Sequence, residues 1–256
     1  MTSRRRTVPS PSQGFLFPSP IGPQSANSAL EGAAPESAAR DYRDTFNGRL
    51  LKDLTLMTPH DIPRINPSTL VPDRLIPFSE TKRRRHGQPK TCVHFYEDDY
   101  RAEKFWRSPE KHIDRLHGFA GVISPDFSLY SNMPRAQKVY NTYRNQLLGA
   151  WLQQTIGINV IPNVRLSGPE SVPYALAGVP QNSTLAIGLH GCTKNRMNRR
   201  EVMEEIRLIC DHCQPTSLVV YGSTMYGVLD DAHAIDIPVY AFAPDHRHRS
   251  LDREAA

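Results

Sequence analysis

Acidic and polar side chains follow several β-rich runs of the sequence, where they could bind a ligand or transfer protons. Asp98 and Asp99 follow the first run, Asp126 the second and His190 the fourth. Carboxylates that converge in a cleft bind hard cations such as Mg²⁺ or Mn²⁺, or divide into acid and base roles when their surroundings separate their pKa values. Histidine transfers protons near neutral pH. These four residues are the candidate catalytic set, and helix capping is the alternative role for the aspartates.

Three further polar residues are candidates for substrate binding. Asn163 and Arg165 lie at the end of the third run, and Ser223 follows the fifth. Arginine can hold a phosphate or a carboxylate through two parallel hydrogen bonds. Pro125 fixes the turn before Asp126, so this carboxylate has a defined direction. It could act as a nucleophile or a base, or it could tie down its own loop through backbone N–H groups. Both interpretations remain open.

Six predicted strands position these residues, with helical segments between them. The predicted strands span residues 92–96, 119–124, 158–164, 184–189, 217–221 and 237–242, and the predicted helices span about 108–118, 134–157 and 198–213. Short β-rich runs that alternate with helices are typical of βα units and a mostly parallel sheet. We predict an α/β fold, either an open doubly wound sheet or a partial (β/α) barrel. In both, ligands bind at the carboxyl ends of the strands.

The charge and the prolines divide the chain into four parts. Residues 1–40 are proline-rich without periodicity, which predicts a disordered tail. An extended arm and a basic loop are predicted for 41–90, the α/β core for 91–243 and a C-terminal tail for 244–256. The 256 residues carry a net charge of +5, with 14 basic and 8 acidic residues among the first 90 and 17 against 18 in the rest. The core is therefore unlike the basic body of a protein that wraps duplex DNA.

The basicity is local and has its densest cluster in the predicted loop. Lys82, Arg83, Arg84 and Arg85 are consecutive, and such a cluster could neutralise phosphates of a nucleic acid with a salt-dependent affinity. A solvated charge run is the alternative. The sequence has no apolar run of about 18 residues and no apolar segment after its first residues, so we predict a cytoplasmic protein without a membrane segment.

A series of short motifs resembles one protein family. The motifs HFYEDD (94–99), SPDFSLY (124–130), NTYR (141–144), IPNVR (161–165), HGC (190–192) and YG (221–222) occur in this order. Together they resemble the family named domain of unknown function 4417, over roughly residues 70–243. The resemblance implies a bacterial or bacteriophage setting, with a mobile element as the context. It implies no activity, cofactor or catalytic residue.

Cysteine spacing offers a metal site as a further hypothesis. Cys210 and Cys213 form a C-x2-C pair, and with His190 and Cys192 they would give zinc four ligands. The pair also lies on the apolar face of a predicted helix, and this spacing favours core packing over zinc.

Two functional classes remain. The chain is either an enzyme that acts on a nucleic acid or another phosphate- or sugar-containing substrate through carboxylates at the strand ends, or a non-catalytic nucleic-acid-binding or protein-interaction module of a mobile element. The sequence lacks a phosphate-binding G-x4-G-K-[ST] loop, a G-x-S-x-G elbow and an H-E-x-x-H motif.

Overall fold

Short strands form wherever β-branched and apolar residues run together in the sequence. A computed structural model describes residues 44–83, 88–189 and 196–244. Its strands are β1 (Leu56–Met57), β2 (Ile62–Pro63), β3 (Arg74–Pro77), β4 (Thr91–His94), β5 (Gly121–Ile123), β6 (Val160–Ile161), β7 (Thr184–Gly188), β8 (Ser217–Tyr221) and β9 (Val239–Phe242). All six predicted strands are present as β4 to β9. Strand β8 has the predicted bounds, β4 begins one residue earlier and ends two residues earlier than predicted, and the other four are shorter than predicted.

Five α-helices connect these strands in the described part of the chain. They are α1 (Asp99–Arg107), α2 (Arg135–Gln154), α3 (Val172–Ala175), α4 (Arg196–Cys213) and α5 (Asp230–Ala234). The predicted helices at 134–157 and 198–213 are confirmed as α2 and α4. The helix predicted at 108–118 is wrong in type, because Pro109–Arg115 forms a 3-10 helix. Helix α1 was not predicted, although Ala102, Phe105 and Trp106 bury one of its faces at three- and four-residue spacing.

Strands β3 to β9 form two parallel sheets, which a backbone bridge connects. One sheet has the order β3-β4-β5-β6 and the other the order β7-β8-β9, with every pair parallel. A parallel bridge between Asn163 and Ala186 connects them. There the Val164 N–H donates to the Ala186 carbonyl at 2.8 Å. The order follows the chain, so the described strands lack the reversal that defines a doubly wound sheet.

Strand β3 was not predicted from the sequence. It lies in the segment predicted as an extended arm, yet Leu75 pairs with Cys92 and Ile76 with Val93 in parallel register. Part of that segment therefore belongs to the sheet. The short antiparallel pair β1 and β2 lies before it in the chain.

Strands β4 to β8 are buried on both faces, as is common in parallel sheets, whereas β9 is partly exposed. Successive side chains of each strand point to opposite faces. One face contributes a cluster with a residue from each strand β3 to β8, namely Leu75, Cys92, Ile123, Ile161, Ala186, Val219 and Tyr221. On the opposite face, Val93, Val122 and Val160 pack with residues of α1 and α2. Leu185, Ile187, Leu218 and Val220 pack with residues of α4. The first cluster lies on one face of the sheets, and its polar neighbours at the strand ends form the site below.

No helix in the described part of the chain is both long enough and apolar enough to cross a bilayer. The predicted tail at 1–40 lies outside the described residues, as does the C-terminal tail beyond residue 244.

Candidate functional site

The predicted residues Asp126 and Arg165 form an ion pair at the carboxyl ends of β5 and β6. Arg165 donates from Nε to Asp126 Oδ1 at 2.7 Å and from Nη2 to Oδ2 at 2.5 Å. The side chain of Asp126 is 6% exposed and that of Arg165 is 23% exposed. This two-point geometry fixes the plane of the guanidinium group, and the more accessible member of the pair is the cation.

Asn163 extends this pair into a hydrogen-bonded chain. Its Nδ2 donates to Asp126 Oδ1 at 2.8 Å, and its Oδ1 accepts from the hydroxyl of Tyr96 at 2.9 Å. Its backbone N–H donates to Ser124 Oγ at 2.8 Å. Tyr96, Asn163, Asp126 and Arg165 are thus linked in one line through buried groups. Such a chain holds every member in one orientation.

The loop that carries Asp126 is fastened from two helices. Asn145 of α2 accepts the Phe127 N–H at 2.7 Å and donates to its carbonyl at 3.2 Å. Asp99 of α1 accepts from the N–H and the hydroxyl of Ser128, at 3.2 and 2.9 Å. The two residues that follow Asp126 are therefore held by side chains of two different helices, which fixes the path of the loop that carries the carboxylate.

An aromatic layer lies beside the ion pair. The rings of Tyr96 and Tyr221 are stacked with centroids 5.1 Å apart, and the His94 ring lies 4.4 Å from that of Tyr221. His94 Nδ1 accepts the Tyr96 N–H at 3.1 Å, which places the ring N–H on Nε2. Gly188 leaves room for this layer, since a Cβ atom there would come within 2.6 Å of the Tyr96 ring.

The environment of Tyr96 perturbs its ionisation. Burial raises the pKa of the phenol well above its usual value, and the negative charge of Asp126 raises it further, while Arg165 acts in the opposite direction. Tyr96 is therefore a stable hydrogen-bond donor to Asn163 over the physiological pH range.

Glu205 of α4 is a second carboxyl group near Arg165. It lines a cavity of about 30 Å³ with Arg165 and Gly188, among the apolar side chains of β7 and α4. Burial raises the pKa of Glu205, whereas the N–H of Gly168, which it accepts at 3.1 Å, and the charge of Arg165 lower it. The upward effect of burial prevails, so Glu205 retains its proton to a higher pH than an exposed glutamate does. The cavity has room for one water molecule.

The remaining predicted residues lie elsewhere or outside the described residues. Asp98 is exposed at the start of α1 and makes no side-chain capping bond there. Asp99 binds the loop at Ser128 rather than joining Asp126. Ser223 accepts the Met225 N–H within its own loop at 3.4 Å. His190 lies outside the described residues.

The predicted basic loop is described only in part. Lys82 is exposed on the 3-10 helix Phe78–Arg83, while Arg84, Arg85 and the side chain of Arg83 are outside the described residues. Its role in binding nucleic acid stays a prediction.

The residues considered as metal ligands have the following surroundings in the described part of the chain. No three His, Cys, Asp or Glu residues there lie close enough together to hold a metal ion. Cys210 and Cys213 are buried on the apolar face of α4, and burial raises the pKa of their thiols to about 11 and about 12. Both cysteines pack among apolar side chains, as the core-packing alternative expects. Cys192 lies outside the described residues.

Sequence reasoning missed His94, Tyr96, Tyr221 and Glu205 as parts of this site. The signal for His94 and Tyr96 was available, because Cys92, His94 and Tyr96 alternate along the predicted strand 92–96, and alternate residues of a strand share one face. Val219 and Tyr221 give the same signal on β8. Glu205 had none, since a glutamate within a surface helix is ordinarily solvated.

A family model and two bacteriophage proteins are similar to this chain. The family model "Domain of unknown function (DUF4417)" matches residues 54–238. The chain is 31% identical over 193 residues to "Gene 1 protein" of Mycobacterium phage D29, an alignment that covers 75% of this chain and 70% of that protein. It is also 31% identical over 191 residues to "Gene 1 protein" of Mycobacterium phage L5, covering 74% and 82%. No solved structure matches the chain significantly. The resemblance found from the strand-end motifs is confirmed: the chain belongs to the DUF4417 family and has relatives in mycobacteriophages.

Proposed function

We propose that the cluster around Arg165 is the active site of an enzyme that acts on a phosphate- or sugar-containing substrate. The seven parallel strands follow the chain order, and we infer that β3 to β9 form the wall of a partial (β/α) barrel. Enzymes built on such walls bind substrates at the carboxyl ends of the strands. Arg165, Asp126 and Asn163 all follow strands at that edge.

The observation that carries the proposal is the geometry of the ion pair. Arg165 is held by both carboxylate oxygens of Asp126 and is the member more open to solvent. An oriented guanidinium group with an accessible face suits recognition of a phosphate. Asp126 accepts three donors through its two oxygens, an arrangement suited to positioning Arg165 rather than to attacking a substrate.

Glu205 supplies the second function that hydrolysis needs, which is proton transfer. In the proposed step, a water oxygen bonds to the phosphorus or the sugar carbon as the bond to the leaving oxygen breaks. Glu205 donates its proton to that oxygen, and the resulting carboxylate then takes a proton from the attacking water. The raised pKa of Glu205 keeps this proton available above the range of an ordinary glutamate.

The test is turnover by the full chain on labelled oligonucleotides, nucleotides and nucleosides, with and without Mg²⁺ or Mn²⁺. We expect Glu205→Gln to lower kcat by at least about 100-fold with little change in KM, since general acid catalysis contributes about 10²- to 10⁴-fold. Glu204→Gln is the matched control, because Glu204 is the exposed neighbour on the same helix. Arg165→Lys should raise KM, because lysine cannot reproduce the two-point contact.

Two outcomes would overturn the proposal. One is turnover in Glu205→Gln and Arg165→Lys equal to that of Glu204→Gln. The other is binding of these compounds without any product, which would favour the non-catalytic binding module.

A further inference from the structure

Large apolar side chains are exposed at the same edge of the sheets as Arg165. Tyr100 is 55% exposed, Tyr130 is 58% exposed and Tyr226 is 62% exposed. Each lies in the segment that directly follows a strand, after β4, β5 and β8 respectively. Because the carboxyl ends of parallel strands meet at one edge, the three tyrosines belong to the rim around the candidate active site.

Cationic groups accompany two of these rings. The guanidinium carbon of Arg199 lies 4.1 Å from the ring centroid of Tyr226. At Tyr100, the Arg101 guanidinium carbon and Lys104 Nζ lie 5.4 and 5.3 Å from the ring centroid. A cation against an aromatic face holds the ring in place and adds positive charge beside it.

We infer that this tyrosine rim binds a single-stranded nucleic acid, which the proposed active site then acts on. This inference rests on the proposed function, because it names single-stranded nucleic acid as the substrate of the proposed enzyme. Unpaired bases stack on exposed aromatic rings whatever their sequence, and adjacent cations neutralise the phosphates between them. Duplex DNA hides its base faces, so the rim discriminates between the two forms. The basic loop at Lys82 is not required for this contact.

The experiment measures fluorescence anisotropy of the full chain with a labelled single strand of about 20 nucleotides and with its duplex, across a salt series. We expect tighter binding of the single strand. Tyr226→Ala and Tyr100→Ala should each raise its Kd by about 5- to 150-fold, whereas Tyr226→Phe should retain most of the affinity. Tyr240→Ala is the matched control, because Tyr240 is 41% exposed but lies within β9 rather than after a strand.

The outcomes separate this inference from the proposed function. Equal affinity for duplex and single strand, or Tyr226→Ala and Tyr100→Ala indistinguishable from Tyr240→Ala, overturns the tyrosine rim as a nucleic-acid surface. Glu205→Gln should lose turnover yet keep the affinity for the single strand, because general acid catalysis contributes to kcat and not to binding. Binding that depends on the tyrosines without product from the wild-type chain would retain the rim and refute the enzyme.

Discussion

Replacing Asp126 with asparagine tests whether this residue positions Arg165 or reacts with substrate. The substitution keeps the size of the side chain and removes the negative charge opposite the guanidinium group. Arg165 then retains a buried positive charge with its two-point partner gone. Losing one member of a buried ion pair costs about 3–5 kcal/mol. Arg165 is 23% exposed, so water offsets part of that loss, and we expect about 2–4 kcal/mol.

This loss should appear as a fall in the melting temperature. For a domain of this size, 1 kcal/mol corresponds to about 2–4 °C, so Asp126→Asn should melt about 4–16 °C below the wild type. Asp98→Asn is the matched control, because Asp98 is exposed and makes no side-chain capping bond. Its melting temperature should change by no more than about 2 °C. Differential scanning calorimetry and urea unfolding should agree on both variants.

A double-mutant cycle isolates the pair from other effects of the substitution. Arg165→Gln in the Asp126→Asn background should cost less than Arg165→Gln alone, with a coupling free energy above about 1 kcal/mol. The reasoning is refuted if Asp126→Asn melts like the wild type while turnover disappears. That result would make Asp126 the nucleophile or the base, and Arg165 would need another means of orientation.

Two further substitutions probe the surroundings of the pair. Because burial raises the pKa of Glu205, the folded state binds its proton more tightly than the unfolded state, and this contribution to stability is lost as pH rises through the folded pKa. The melting temperature of Glu205→Gln relative to wild type should therefore increase from about pH 4 to pH 7; a constant difference would contradict this. Gly188→Ala should lower the free energy of unfolding, measured by urea titration, by about 1–3 kcal/mol, because the new Cβ would meet the Tyr96 ring. Adding Tyr96→Leu to this variant should restore part of the lost stability, because the smaller side chain makes room for the Cβ. An unchanged urea midpoint in Gly188→Ala would contradict the close packing.

The sequence predicts the strands well because each strand is marked by the composition of its own residues. Strands β4 to β9 are β-rich runs bounded by turns or helix starts, and their position within the sheet follows from order along the chain. Strand β3 was not predicted because Arg74–Pro77 is only four residues long and ends in a proline, and its pairing with β4 depends on tertiary contact. The helix type at Pro109–Arg115 was wrongly predicted for a different reason. A capping serine and a proline at the first turn are compatible with either helix type.

In the candidate site too, the residues that strand order brings together were predicted, and the contacts that tertiary packing decides were not. Asp126, Asn163 and Arg165 were predicted together because strand ends converge at one edge, and they do form one hydrogen-bonded group. Which atoms meet was not predictable. Whether Asp126 faces solvent or an arginine depends on the path of its loop, which Asn145 fixes from α2 across 18 residues. Asp99 of α1 fixes the next residue of that loop, Ser128, and this contact too depends on the packing of a helix against the loop.

Stability alone does not account for an ion pair at this position. Replacing a buried ion pair by apolar residues of the same volume is often neutral or stabilising, because both charges must leave water when the pair is buried. On the face of the sheets that carries Ile123 and Ile161, apolar side chains form one buried cluster, and the hydrogen-bonded chain through Asn163 lies beyond it at the strand ends. A fold that needed only a closed core could have continued with apolar residues there. An oriented arginine that is the more accessible member of its ion pair is the feature that the proposed recognition of a phosphate requires.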